Sequence, residues 1–224
     1  MYWILFIGIA LLSWAVQANL KSKFEKFSKI PVDSGLTGRD IALRMLHDNG
    51  IYDVKVVSTS GSLTDHYNPL TKTVNLSEDV YDSYSVAAAA VAAHECGHAV
   101  QHACSYAPLK MRSRLVPVIS FASNWMQWLL LIGMLTIHMF PGIMLAGIVL
   151  FAMTTLFSFI TLPVEIDASR RALQWLDHAG ITTGRDHGYA VSALRSAAYT
   201  YVVAALGSLA TLVYYVMIFM GRRD

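Results

Sequence analysis

The sequence predicts a mainly α-helical membrane protein, with about four transmembrane helices and a small α+β domain on one side of the bilayer. Three observations predict it. Of 224 residues, 55% are hydrophobic and only 14% charged, and the mean hydropathy is +0.45, unlike an ordinary soluble domain. Four apolar runs without Asp, Glu, Lys or Arg, at residues 2–18, 118–139, 143–162 and 201–220, approach or reach spanning length. Between the first two of them, residues 19–115 turn polar and carry the alternation, turn residues and helix starts of a folded domain.

The first run is followed, not preceded, by lysines (Lys21, Lys23, Lys26, Lys29). That is the wrong charge order for a cleaved secretory signal and the right one for a retained anchor at residues 1–18. Positive charge belongs on the cytoplasmic side, so the chain enters the cytoplasm after Ala18. Within 19–115, Ile41, Met45 and Leu46 recur at helical spacing until Asn49-Gly50 stops them. Residues 54–57 make a strand, and 61–67 with 72–76 make a pair around Asn68-Pro69-Leu70-Thr71, which predicts a short antiparallel sheet. Ser83 or Ser85 then opens a helix that ends near Tyr106-Ala107-Pro108.

Residues 116–162 read as a transmembrane hairpin turned at His138-Met139-Phe140-Pro141-Gly142. Trp125 and Trp128 sit too deep for an interfacial belt and are assigned to packing between helices. Residues 163–200 return to the inner side as helices, the first ended by Gly180, and 201–224 form the last span with Arg222, Arg223 and Asp224 outside. In this topology 15 of the 17 Lys and Arg lie on the inner side, which makes the chain a multi-pass protein of the cell membrane with its polar domain in the cytoplasm. A net charge of +2 without a basic patch interleaved with aromatics excludes nucleic acid as a partner. Cys96 and Cys104 lie eight residues apart on one helix, about 12 Å along it, so they form no bridge; Cys96 is assigned to packing.

The chemistry concentrates in an alanine-rich helix at residues 86–103, which contains His94-Glu95-Cys96-Gly97-His98. At 100° per residue His94 and His98 face the same way, about 6 Å apart along the axis, as half of a tetrahedral zinc site. Glu95 then reaches a metal-bound water rather than the metal. From the chain's own composition of 8 His and 4 Glu, the pattern arises by chance roughly once in 200 such sequences. A catalytic zinc takes three protein ligands and keeps one position open. The glutamates are Glu25, Glu78, Glu95 and Glu165; Glu165 leaves the third span on the same side as the metal helix and is the expected third ligand, against a plain helix-dipole role. His102, about 12 Å from His94 along the same face, is too far to share the ion. Asp167 and Ser169 are candidates to hold the other ring N–H of His94 or His98. Arg170, Arg171, His66, Tyr67 and Tyr189 are candidates to stabilise an oxyanion, and the strand before the helix offers an edge to an extended peptide.

At these residues the chain resembles the YugP-like neutral zinc metallopeptidases of prokaryotic membranes. The resemblance runs through Asp65-His66-Tyr67-Asn68-Pro69, Val74-Asn75-Leu76-Ser77, residues 92–101 and residues 162–169. It implies a membrane-bound zinc peptidase of zincin-like fold, with His94 and His98 as ligands and Glu95 as catalytic base. The layout is also similar to the heat-shock and prenyl-processing membrane metalloproteases, in which a glutamate beyond a transmembrane hairpin is the third ligand. There an alanine and an aspartate follow that glutamate; here Ala168 matches and Ser169 stands in the aspartate's place. The expected function is a gluzincin-like metalloendopeptidase using Zn2+ on peptides or membrane-protein segments at the cytoplasmic face. Two alternatives stand beside it: a non-proteolytic membrane scaffold with a structural or vestigial metal site, and an intramembrane protease with its metal inside the bilayer. The sequence identifies no partner protein beyond substrate and bilayer, and leaves a homo-oligomer open.

Overall fold

Hydrophobicity changes along this chain where helices do not end. In a computed structural model, which describes residues 2–221, the anchor is part of α1, Tyr2–Phe27, and continues unbroken through the lysines. The hairpin helices are α5, Ala107–Leu135, and α6, Pro141–His178, and the last span lies in α7, Gly184–Gly221. At 1.5 Å per residue, 38-residue α6 and α7 are each about 57 Å long, almost twice a bilayer's hydrocarbon core. Each span is thus one rigid piece with the part that reaches the polar domain. α6 passes through Pro163 without a break and stops at Gly180, whose positive φ of 67° closes the helix end. The connection from α6 to α7 is short, residues 179–183, because α7 already starts at Gly184. Arg222-Arg223-Asp224 lie outside the described residues.

Four of the helices are long and apolar enough to cross a membrane. They pack in a row, α5 on α6, α6 on α7 and α7 on α1, so most of their apolar surface faces outward. Trp125 and Trp128 belong to that outer surface: both are exposed on α5. The assignment of these two rings to helix–helix packing is therefore corrected, because a row leaves α5 a partner on one side only.

The polar domain is built around α4, Val86–Ala103. Ser85 starts it, its hydroxyl accepting the Ala88 N–H at 3.2 Å. A helix this rich in alanine, buried on nearly every face, admits neighbours close to its axis. α2 (Gly38–Asp48), held by a Thr37/Asp40 capping box, covers one side with Ile41, Met45 and Leu46. The Cys96 thiol donates to the Ala42 carbonyl at 3.5 Å, and both cysteines are free. A three-stranded sheet, β1 (Lys55–Thr59), β2 (His66–Asn68) and β3 (Thr73–Ser77), leads through short α3 (Glu78–Tyr81) towards α4. Its order is β1-β3-β2. The β2–β3 hairpin is antiparallel as expected, but β1 joins β3 in parallel, so the sheet is mixed. The connection through residues 60–72 carries the chain back to the end from which β1 started, which an antiparallel pair does not need.

Candidate active site

Gly97 decides how near α6 comes to α4. A Cβ built there would lie 2.6 Å from the Ala168 carbonyl oxygen, closer than real contacts allow, so only glycine lets these two backbones meet. The contact brings the carboxylate of Glu165, one turn before Ala168, over the two imidazoles of α4. Glu165 Oε2 lies 3.4 Å from His94 Nε2 and 3.6 Å from His98 Nε2. One ligand atom from each of the three residues lies within 4.8 Å of the others. Zinc bonds of 2.0–2.1 Å in a tetrahedron put neighbouring ligand atoms about 3.3 Å apart. The donor set, two imidazoles and one carboxylate, and its spacing therefore fit a single ion such as zinc. The local field fits as well. Burial pushes the His98 pKa down, but the hydrogen bond its ring donates to Glu165 and the charges of Glu95 and Glu165 outweigh it, and the net shift is upward. The site favours positive charge at the point where a cation would sit.

Second partners fix both rings. His94 Nδ1 lies 3.1 Å from Ser169 Oγ; donating its N–H there leaves Nε2 bare towards Glu165. Ser169 occupies the position four residues after Glu165, on the same helix face. His98 Nδ1 lies 3.1 Å from Gln101 Oε1. The fully buried Gln101 amide donates in turn to the Val164 carbonyl and to Asp167 Oδ2, each at 2.8 Å. Arg171 Nε donates to the same Asp167 oxygen at 2.6 Å. Asp167 thus reaches a histidine only through Gln101. Sequence reasoning missed Gln101, although a lone amide one turn after His98 in an alanine helix marks it.

The three groups open into a cleft of ≈ 540 Å³. β2 and the residues flanking it form one wall, and the first turns of α5 form the other. Glu95, almost buried, lines it beside the histidines. Asp65 lines it too; burial raises its pKa, against the opposing Ser77 N–H and hydroxyl donors, the former at 2.7 Å. Two residues absent from the sequence-based candidates complete the floor. Arg112 of α5 places Nη1 3.3 Å from Glu165 Oε1, the oxygen turned away from the histidines. Tyr201 of α7 lines the same space and interacts with Glu165.

The remaining candidates divide. His66 and Tyr67 line the cleft; His66 Nδ1 sits 2.8 Å from the Thr64 carbonyl, and the Tyr67 hydroxyl 3.0 Å from His102 Nδ1. His102 is not among the three residues brought together, His94, His98 and Glu165. Arg170 lines a separate groove with Asp177, His187 and Arg195 on the far side of α6. Arg171 is held by Asp167 and lies over the Tyr106 ring, and Tyr189 stacks on Phe27 with centroids 5.0 Å apart. None of these three borders the cleft. Their direction around the helix explains it for Arg170: five residues past Glu165 is a rotation of about 140°.

A family model described as "Putative neutral zinc metallopeptidase" matches residues 2–220. A protein of Bacillus subtilis (strain 168), described as "Putative membrane protease YugP", is 45% identical over 223 residues, covering 98% of each chain. No solved structure matches.

Proposed function

The chain belongs to the "Putative neutral zinc metallopeptidase" family, and from that premise we propose that it is a membrane-embedded, gluzincin-like zinc endopeptidase. One observation carries the reading: a carboxylate from the bilayer helix α6 stands within 3.4 and 3.6 Å of both imidazoles of the α4 motif. His94, His98 and Glu165 would hold the zinc. Zinc bound there would lower the pKa of a water molecule towards neutrality and polarise the scissile carbonyl.

The protein's own residues do the rest. Ser169 and Gln101 keep the imidazole Nδ1 atoms protonated, so that both Nε2 atoms are available as ligands. Glu95 takes the proton of the attacking water and hands it to the leaving amine nitrogen as the C–N bond breaks. Arg112 and Tyr201, facing the cleft beside Glu165, carry the donors for the carbonyl oxygen as negative charge grows on it. Arg112 also occupies Glu165 Oε1, which leaves that carboxylate one oxygen for the ion. β2 pairs with β3 on one edge only, and its free edge along the cleft suits an extended peptide backbone. The Lys/Arg bias supports a cytoplasmic orientation of this face.

A three-ligand group with an adjacent carboxylate supports catalysis over a closed structural site, which takes four ligands. Glu95→Gln tests the mechanism. In the full-length protein it is expected to retain zinc while cleavage of a fluorogenic peptide falls by about 10²–10⁴-fold. Unchanged turnover would remove Glu95 from the role of base.

A further inference from the structure

The depth of the cleft in the membrane follows from helix lengths. A hydrocarbon core of about 30 Å takes about 20 helical residues. Counted inward from the outer turn between α5 and α6, the core ends near residue 116 on α5 and near residue 160 on α6. On α7 the uncharged run over residues 201–220 has the same spanning length and begins at Tyr201. The charges agree. On α5 the last Lys or Arg before the apolar run is Arg114, and on α6 the first charge after its run is Glu165 itself.

Three helices thus mark one level, and the active-site groups lie just beyond it. Glu165 is five residues past the boundary and Arg112 four, about 7.5 and 6 Å. The headgroup layer on each side is about 5–8 Å thick. Val116, Pro117 and Tyr201, which sit at the boundary, line the cleft. Across the cleft from α5, the β2–β3 turn presents Leu70, 93% exposed, with Pro69 beside it. An apolar side chain so bare is solvated well by a bilayer interface and poorly by water.

We infer that the cleft lies within the headgroup layer and takes peptide segments that emerge from the bilayer, cutting them within a few residues of the hydrocarbon. This substrate class rests on the peptidase reading; the depth does not. A bilayer-anchored segment reaches the cleft at high effective concentration, whereas a free peptide must first partition to it.

Two measurements test it on the full-length protein in phosphatidylglycerol-containing vesicles. The probe is a single-span helix bearing a quenched-fluorescent linker on the lysine-rich side, compared with the same linker free in solution. The anchored linker is expected to be cut about 10-fold faster or more. When a Gly-Ser spacer is inserted next to the anchor, the cut should keep its distance from the anchor and move into new sequence. Equal rates, or a cut that follows the sequence, would overturn the substrate class. Depth is read separately, from a nitroxide at Leu70→Cys in a Cys104→Ser background. Exposure typical of the headgroup layer, by oxygen against a water-soluble nickel chelate, is expected; exposure typical of bulk water would overturn the placement. If neither probe is cut in a Glu95-dependent way the peptidase reading fails, and the nitroxide alone decides the depth.

Discussion

The two helices that carry the candidate ligands are built on opposite terms. α4 is short, alanine-rich and buried on nearly every side, and its two histidines are fixed relative to each other by the helix repeat alone. α6 is 38 residues long, packs in turn on α5, α7 and α4, and brings a single carboxylate whose position depends on how it docks. The local pair is guaranteed by sequence spacing; the third group is guaranteed by a contact, Gly97 against Ala168. A site of this kind has its weak point where the two helices touch, not within the motif.

The contrast is sharpened by substitutions at that contact. Gly97→Ala inserts a methyl 2.6 Å from the Ala168 carbonyl, and overpacking of this kind costs about 1–3 kcal/mol. The larger effect falls on the site, since an ångström of misplacement costs about 10²-fold in rate. Zinc affinity by competitive chelation and turnover are both expected to drop by about that factor. Gly142→Ala, where nothing lies within 4 Å of the added carbon, is the control. An unimpaired Gly97→Ala variant would break the comparison.

Gln101→Leu comes next. It removes the acceptor of the His98 N–H and the donor to Val164 and Asp167 at once. Loss of such an outer partner lowers metal affinity by about 10–100-fold, read as a weaker zinc dissociation constant. Ser169→Ala should be milder. It removes one neutral hydrogen bond to His94, worth about 1 kcal/mol, or about 5-fold in zinc affinity. A Ser169→Ala variant weaker than Gln101→Leu would reverse the order in which the two rings are held.

Much of this was legible in the sequence, and the illegible part has a common cause. The four spans, the α4 motif, the hairpin over 66–77 and the choice of Glu165 all follow from periodicity, run length or the scarcity of glutamate. Those are one-dimensional signals. Arg112 carried none: it stands with Lys110 and Arg114 in a basic cluster just before an apolar run, and only the fold sets it against Glu165. Tyr201 was hidden at the start of the last span for the same reason. Arg170 could have been set aside by helix rotation alone, and Gln101 proposed by it. The parallel β1–β3 pairing depends on where the chain returns after residue 60, which local pattern does not specify.

The central claim is that α4 and α6 hold one zinc ion jointly, and zinc content measures it most directly. Purified full-length protein and its Glu165→Ala variant, each dialysed against the same buffered zinc, are compared by metal analysis and zinc-edge absorption. The account predicts one zinc per chain in the parent, with two imidazole nitrogens and carboxylate oxygen at about 2.0–2.2 Å, and loss of stoichiometric zinc in the folded variant. Full zinc content with an unchanged spectrum in Glu165→Ala would contradict it.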